Sequence, residues 1–332
     1  MTETLFLTSD DVSGLATPAD YVDRVADGYR QRGDGASADP RTALFADDPT
    51  GMLTSYTAIL PEDGYMGGYT YSAGFGAGDA WFMTPLFDAD SGEPLALLDG
   101  ASMNPFKTGA TGAVGVDMLA RENATRVGVI GSGAQARGQL RATATVRELT
   151  AVEVYSPTAA NREAFAEEMT ETLGVDVTAV ESSTAAVADA DIVITATSAS
   201  DPVFDGDQLA PGTHVTAMGQ YNPNKRELDT TTIERSTYVP DLRDRATQDA
   251  GSFLHAIDAG VIDESHIHAE LGDIVADNAV GRTSDEEITV FDSGGTAIET
   301  VAAAGMLYER AREQGLGSTI EFAPASDALT GK

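Results

Sequence analysis

The chain has 332 residues and 42% hydrophobic content, enough to bury more than one core and too much for a disordered polypeptide. Fifty-three acidic residues against 20 basic ones leave a formal net charge of −33, spread through every segment, so a clustered Lys/Arg surface and with it a nucleic-acid partner are excluded. There is no cysteine, which removes disulfides, thiolate nucleophiles and Cys-ligated zinc.

Only three basic residues are lysine, Lys107, Lys225 and Lys332. Self-repulsion on this scale destabilises a compact chain at low ionic strength, whereas at molar salt the Debye length falls to about 3 Å. The composition therefore points to the high-salt cytosol of a halophile. No apolar run reaches the roughly 20 residues that cross a bilayer, and the N-terminus lacks a basic n-region and apolar h-region. A cytoplasmic protein with no membrane partner is expected.

In chain order, the first 120 residues alternate β-like runs with glycine-rich connections. Met52–Leu60 and Trp81–Phe87 read as strands, and Asp88–Gly92 as a hairpin turn leading to Pro94–Leu98. The small residues from Thr108 to Ala120 carry an apolar stripe at helical spacing. From Asn123 the pattern changes to alternating strand and helix. The strands are Val127–Ile130, Val152–Tyr155, Asp176–Val180, Ile192–Thr195, His214–Met218 and a sixth, Thr237–Pro240. Helices fill the intervals to Val146 and from Asn161 to Leu173, and a long Ala-rich helix, Ala297–Gln314, ends at Gly315. The fold class is α/β, a Rossmann doubly wound parallel sheet plus an α+β substrate and dimerisation domain. The expected boundaries are 1–120 with 300–332 for the latter and 121–299 for the former.

Gly131-Ser132-Gly133-Ala134-Gln135-Ala136 has the G-x-G-x-x-G/A form between a β-like run and a helix, the context in which it marks a dinucleotide site. Gly131 permits the tight turn, Gly133 lets a pyrophosphate approach, and Ala136 keeps helix and strand close. An acid at the end of the second strand would select NAD. Here that end reads Tyr155-Ser156-Pro157-Thr158, with Arg162 just after. Ser156, Thr158 and Arg162 can receive a 2′-phosphate, which favours NADP over NAD, unless Arg162 lies on an exposed helix face. Thr197, Ser198, Met218 and Gly219 follow the fourth and fifth strands, where cofactor contacts belong.

Gly92-Glu93-Pro94-Leu95-Ala96-Leu97-Leu98-Asp99-Gly100, Lys107-Thr108-Gly109-Ala110, the Gly131 turn, Gly219-x-x-x-Pro223-x-Lys225-x-Glu227-Leu228 and Phe291-Asp292-Ser293-Gly294-Gly295 occur in this order. Together they resemble the ornithine cyclodeaminase/μ-crystallin family over nearly the whole chain. The resemblance implies a homodimer whose N-terminal domain, completed by the C-terminal segment, carries the substrate site. It also implies NAD(P) chemistry at the carbon between an amino or imino nitrogen and a carboxylate. Thr108 and Ser293 would then join the cofactor contacts, Ser293 on the nicotinamide side.

Against the family pattern, Tyr69 stands where a catalytic lysine is usual and Tyr221 where cyclodeaminases have their aspartate. Lys107 replaces the substrate-carboxylate arginine, and an early-strand arginine is kept as Arg41. A cyclodeaminase needs an acid/base group that handles both an amine and water. Imine reduction needs a hydride, one proton donor and a cation for the carboxylate. Arg41 and Lys107 supply cations, and Tyr69, Tyr71 or Tyr221 a proton, since a phenol beside cations is expected to shift downward. The expected activity is thus an NAD(P)-dependent oxidoreductase of a small α-imino or α-amino acid or a cyclic ketimine. A cyclodeaminase-type lyase with bound NAD, and a non-catalytic NADP-dependent binding protein like μ-crystallin, stay open. Lys107, in a chain so poor in lysine, should have a buried anionic partner. His266-x-His268 with Glu270 reads as a loop or strand-edge group rather than a metal site.

Overall fold

The computed structural model describes residues 2–330. Two compact units form, one from the residues up to Lys107 together with those from Thr296 onward, the other from Thr108–Gly295. The division falls inside the helix Asn104–Leu119, rather than at 120/121, and at 295/296 rather than 299/300. The reason at the first boundary is the small face of that helix. A Cβ at Gly109 would lie 2.3 Å from the Gly138 carbonyl oxygen, so the helix beyond Lys107 packs as part of the second unit.

The first unit holds a seven-stranded sheet of β1 (Thr2–Leu7), β2 (Thr42–Asp47), β3 (Thr50–Leu60), β4 (Tyr65–Gly74), β5 (Asp79–Asp88), β6 (Pro94–Asp99) and, from the C-terminal segment, β14 (Ser318–Phe322). Its order is β14-β1-β6-β5-β4-β3-β2, antiparallel except for the β1–β6 pair. Strict alternation along β3 buries Tyr56, Ala58 and Leu60 on one face, as a half-covered antiparallel strand should. Two helices cover the sheet, Pro18–Gly33 and Ala297–Gln314. The first was not read from the sequence, although Thr17 and Asp20 make a capping box at its start. The second presents Val301 through Leu307 as a buried run, its alanines letting helix and sheet approach closely.

The second unit is built on β7 (Arg126–Ile130), β8 (Ala151–Tyr155), β9 (Val177–Ala179), β10 (Ile192–Thr195), β11 (His214–Ala217), β12 (Ser236–Pro240) and β13 (Ile288–Asp292). The order β12-β13-β11-β10-β7-β8-β9 is parallel throughout. Five strands buried at nearly every residue explain the continuous apolar runs in the sequence. The chain reverses direction of strand addition between β7 and β10, and the ends of these strands form the crevice where α/β sheets bind ligands. The sixth strand of the sequence reading, now β12, is the edge strand. β13, which was not recognised as a strand, lies between it and β11.

Candidate active site

In the second unit, β7 runs into Gly131, whose φ of +119° and whose Cβ position 2.3 Å from the Ala196 carbonyl oxygen both require glycine. Gly133 is the N-cap of the helix Ala134–Val146 and offers no side-chain cap. A Cβ added there would meet nothing within 4 Å. The first amides of that helix therefore face open space, with the positive end of the helix dipole behind them. Gln135 Oε1 is buried with no hydrogen-bond partner among the described residues. Open amides, a dipole and glycine at the approach fit a dinucleotide pyrophosphate.

Ser132 Oγ donates to Ser156 Oγ at 2.9 Å, which ties the glycine turn to the end of β8. Thr158 is the exposed first residue before the helix Ala159–Leu173. Arg162 does not lie on an exposed face; it is buried. Its Nη1 donates to the Ser156 carbonyl at 3.1 Å and its Nη2 to Glu181 Oε2 at 2.8 Å. The sequence reading missed Glu181.

Glu227 fastens the ends of β10 and β11. Buried, it accepts hydrogen bonds from Thr195 Oγ1 at 3.0 Å, Thr197 N at 2.7 Å and Gly219 N at 2.7 Å. Burial pushes its carboxyl up in spite of these donors. Met218 is buried and Ser198 exposed at the same strand ends. The loop after β13 is held equally firmly. Arg245, fully buried, donates from Nε to Asp241 Oδ1 at 2.7 Å and from Nη2 to the Asp292 carbonyl at 2.7 Å and Oδ1 at 2.8 Å. Asp241 Oδ2 in turn accepts from Gly294 N and Gly295 N. Ser293 N donates to the Ala217 carbonyl, while its buried Oγ has no partner among the described residues. Tyr221 lies in the loop after β11, partly exposed.

In the first unit, Lys107 sits in the opening turn of the helix Asn104–Leu119, only 2% exposed. The anionic partner anticipated for it is Glu299, whose Oε1 lies 3.3 Å from Nζ. Glu299 is fully buried and holds the N-terminus of Ala297–Gln314, accepting from Thr296 N at 2.7 Å and Thr296 Oγ1 at 2.5 Å. Tyr29 OH also donates to it, at 3.4 Å. The pair is 192 residues apart in sequence. Burial pulls the Lys107 ammonium below its usual pKa; Glu299 opposes that shift and Arg41 adds to it.

The Lys107 Nζ stands 4.8 Å from the centre of the Tyr69 ring. Arg41, also buried, has its guanidinium carbon 5.6 Å from the Tyr56 ring centre. Tyr69 stacks on Phe82 at 5.2 Å and is tilted against Tyr56 and Tyr71, each at 5.7 Å. Its hydroxyl reaches the Gly100 carbonyl at 3.4 Å. The downward phenol shift expected from neighbouring cations does not occur at Tyr69. Burial among these rings drives its pKa well above 10, and the neighbouring Tyr71, Glu299 and Asp99 push it the same way. Tyr56 is driven up in the same way, against the pull of Arg41. Tyr69 therefore keeps its proton, and of these groups it is Lys107 whose proton affinity burial lowers.

The histidines of the His266-x-His268 group bond backbone carbonyls. His266 Nε2 bonds the Ile233 carbonyl, His268 Nε2 the Val280 carbonyl, and Glu270 caps the helix Leu271–Val275.

The chain as a whole is similar to known proteins. A Delta(1)-pyrroline-2-carboxylate reductase from Bacillus cereus is 39% identical over 238 residues, 71% of this chain and 73% of that protein. The structure of the Thermococcus litoralis Delta(1)-pyrroline-2-carboxylate reductase in complex with NADH and L-proline superposes with a TM-score of 0.91 at 33% identity, covering 96% of this chain and all of that one. An archaeal alanine dehydrogenase dimer with bound NAD superposes at 0.90 and 31% identity, covering 97% and 100%. The family model of the ornithine cyclodeaminase/mu-crystallin family matches residues 2–315, and the chain belongs to that family.

Proposed function

We propose that this protein is an NAD(P)-dependent oxidoreductase that reduces the C=N bond of a cyclic ketimine or other α-imino acid, or oxidises the corresponding α-amino acid. The observation that carries the reading is the buried Lys107, held by Glu299, with Arg41 beside it and aromatic rings for walls. A site with two buried cations takes a carboxylate, and arginine matches one bidentately. The family's usual lysine and aspartate are replaced by Tyr69 and Tyr221, which leaves little to run the several proton transfers of a cyclodeaminase. The likeness to pyrroline-2-carboxylate reductases supports a cyclic substrate.

A bound nicotinamide supplies or accepts the hydride. Arg41 and Lys107 hold the substrate carboxylate, and Lys107 passes a proton to the imino nitrogen, with Glu299 stabilising its charged form between turnovers. Tyr69 excludes water and packs against the substrate; Tyr221 is a second, more exposed donor. Gly131, Ser132, Gly133, Ala134 and Gln135 take the pyrophosphate, and Ser156, Thr158 and Arg162 line the ribose end. Thr108, Thr197, Ser198, Met218, Gly219 and Ser293 serve the nicotinamide half.

The working form in this reading is a homodimer. Leu44, Leu53 and Trp81 lie exposed in one cross-strand row with Ser72, and Met83 is exposed nearby. A second copy would cover this apolar face. Among the described residues no helix is long and apolar enough to cross a membrane, and the acid excess fits a cytosol of high salt. The decisive experiment follows NADH and NADPH oxidation in molar KCl with five- and six-membered cyclic imino acids, and with 2-oxo acids plus ammonia. Turnover that Lys107→Ala lowers at least a hundredfold is expected. Ammonia release from ornithine with no net nucleotide oxidation would replace this reading with the lyase, and nucleotide binding without either reaction would replace it with a binding protein.

A further inference from the structure

The acid that selects NAD in many Rossmann domains is missing from the end of β8, but the next strand supplies one. β7, β8 and β9 are parallel neighbours, so their C-terminal ends lie side by side. Just beyond β9, Glu181 reaches back to Arg162, which in turn grips the backbone of Ser156. Ser156 is joined to Ser132 of the glycine turn. An unbroken set of contacts thus runs from the pyrophosphate cradle to the Glu181 carboxylate. Within the ion pair the arginine side chain is 8% exposed and the glutamate 90%. The cation faces inward and the acid outward.

We infer that Glu181 sets the choice of cofactor, accepting hydrogen bonds from the ribose hydroxyls of NAD(H) and turning away the 2′-phosphate of NADP(H). The inference rests on the dinucleotide reading of this unit. A ribose bearing free hydroxyls brings donors to a carboxylate that Arg162 already orients. A 2′-phosphate brings nearly two negative charges to the same place. To use Arg162 it must first break the pair and leave both anions side by side, with the guanidinium still committed to the Ser156 carbonyl. This reverses the preference drawn from Ser156, Thr158 and Arg162 alone, because an arginine already paired with an acid is not a phosphate receptor.

The test is titration of NADH and NADPH fluorescence against the full-length protein in the same KCl buffer. The wild type should bind NADH at least tenfold more tightly. Glu181→Gln, an exposed and isosteric change, should shrink that ratio at least tenfold, chiefly by tightening NADPH. Adding Arg162→Ala to Glu181→Gln should abolish the gain, because the released guanidinium is what receives the phosphate. A wild type that prefers NADPH, or a ratio unchanged within twofold in Glu181→Gln, overturns the inference. Failure of the folded wild type to bind either nucleotide is a different result, and it overturns the dinucleotide reading on which the inference stands.

Discussion

Glu299→Gln tests the chemistry assigned to Lys107. The two charges stand 3.3 Å apart, and at an effective dielectric near 20 unit charges at that distance attract by on the order of 5 kcal/mol. The glutamine keeps an oxygen for Thr296 N and retains part of the dipole, so about half of this should be lost. At about 1.4 kcal/mol per decade of proton affinity, the Lys107 pKa should fall further by about two pH units. Burial already holds it below the ordinary value, and the substitution acts in the same direction. The sign is definite, because removing an anion from beside an ammonium favours the neutral amine. In kcat/KM against pH, the alkaline limb reporting loss of the Lys107 proton should move about two units toward acid. KM for the imino acid should rise across the interval between the old limb and the new one. Circular dichroism checks that the variant is folded. A folded Glu299→Gln protein whose alkaline limb stays in place would refute the coupling, and with it the role of Lys107 as the titrating group.

Three further outcomes are expected. His214 is buried between Thr289 and Thr216 and its pKa is held at about 3, chiefly by burial. The unfolded chain therefore binds a proton that the native state refuses between pH 6.5 and 3, so this residue's stabilisation is complete above 6.5 and lost on acidification. Urea titrations should show the wild type losing about 2 kcal/mol more than His214→Gln between pH 7 and 5, and equal losses would contradict the assignment. Gly131→Ala places a Cβ against the Ala196 carbonyl at positive φ. It should weaken NADH at least tenfold and lower stability by about 1–3 kcal/mol; unchanged nucleotide affinity by fluorescence titration would remove the turn from the site. Trp81→Glu should convert a dimer to a monomer in light scattering after gel filtration, whereas a dimer that survives it would place the interface elsewhere.

The parts of the fold that could be read from sequence are those whose signal is local. Val127–Ile130 and the Gly131 turn are contiguous, and a parallel strand buried on both faces shows itself as an apolar run. The register of strands in space is not local. Thr237–Pro240 was rightly a strand, yet nothing near it shows that Ile288–Asp292, about 50 residues on, inserts between it and β11. The helix Pro18–Gly33 escaped notice for a different reason. Its buried residues Tyr21, Val22, Val25 and Tyr29 have helical spacing, but they are diluted by charges in a segment otherwise read as β-rich. The capping box at Thr17 and Asp20 was the available signal.

At the site, rarity decided what could be found. Lysine is scarce here, so a lysine in an apolar stretch stood out and its burial was anticipated. Acids are abundant, so Glu299 and Glu181 carried no contrast, although the first is the buried ion-pair partner of Lys107. Their roles depend on contacts closed by folding, such as the pair from Lys107 to Glu299. The phenol shift failed for a related reason. Proximity to Arg41 and Lys107 was foreseeable, but the stacking of Tyr69 among Tyr56, Tyr71 and Phe82 was not, and desolvation by those rings is what sets its proton affinity. The two acids to which the proposed chemistry gives a role are distinguished only by what folding closes against them: Glu299 meets Lys107 inside the first unit, and Glu181 meets Arg162 at the end of a strand in the second.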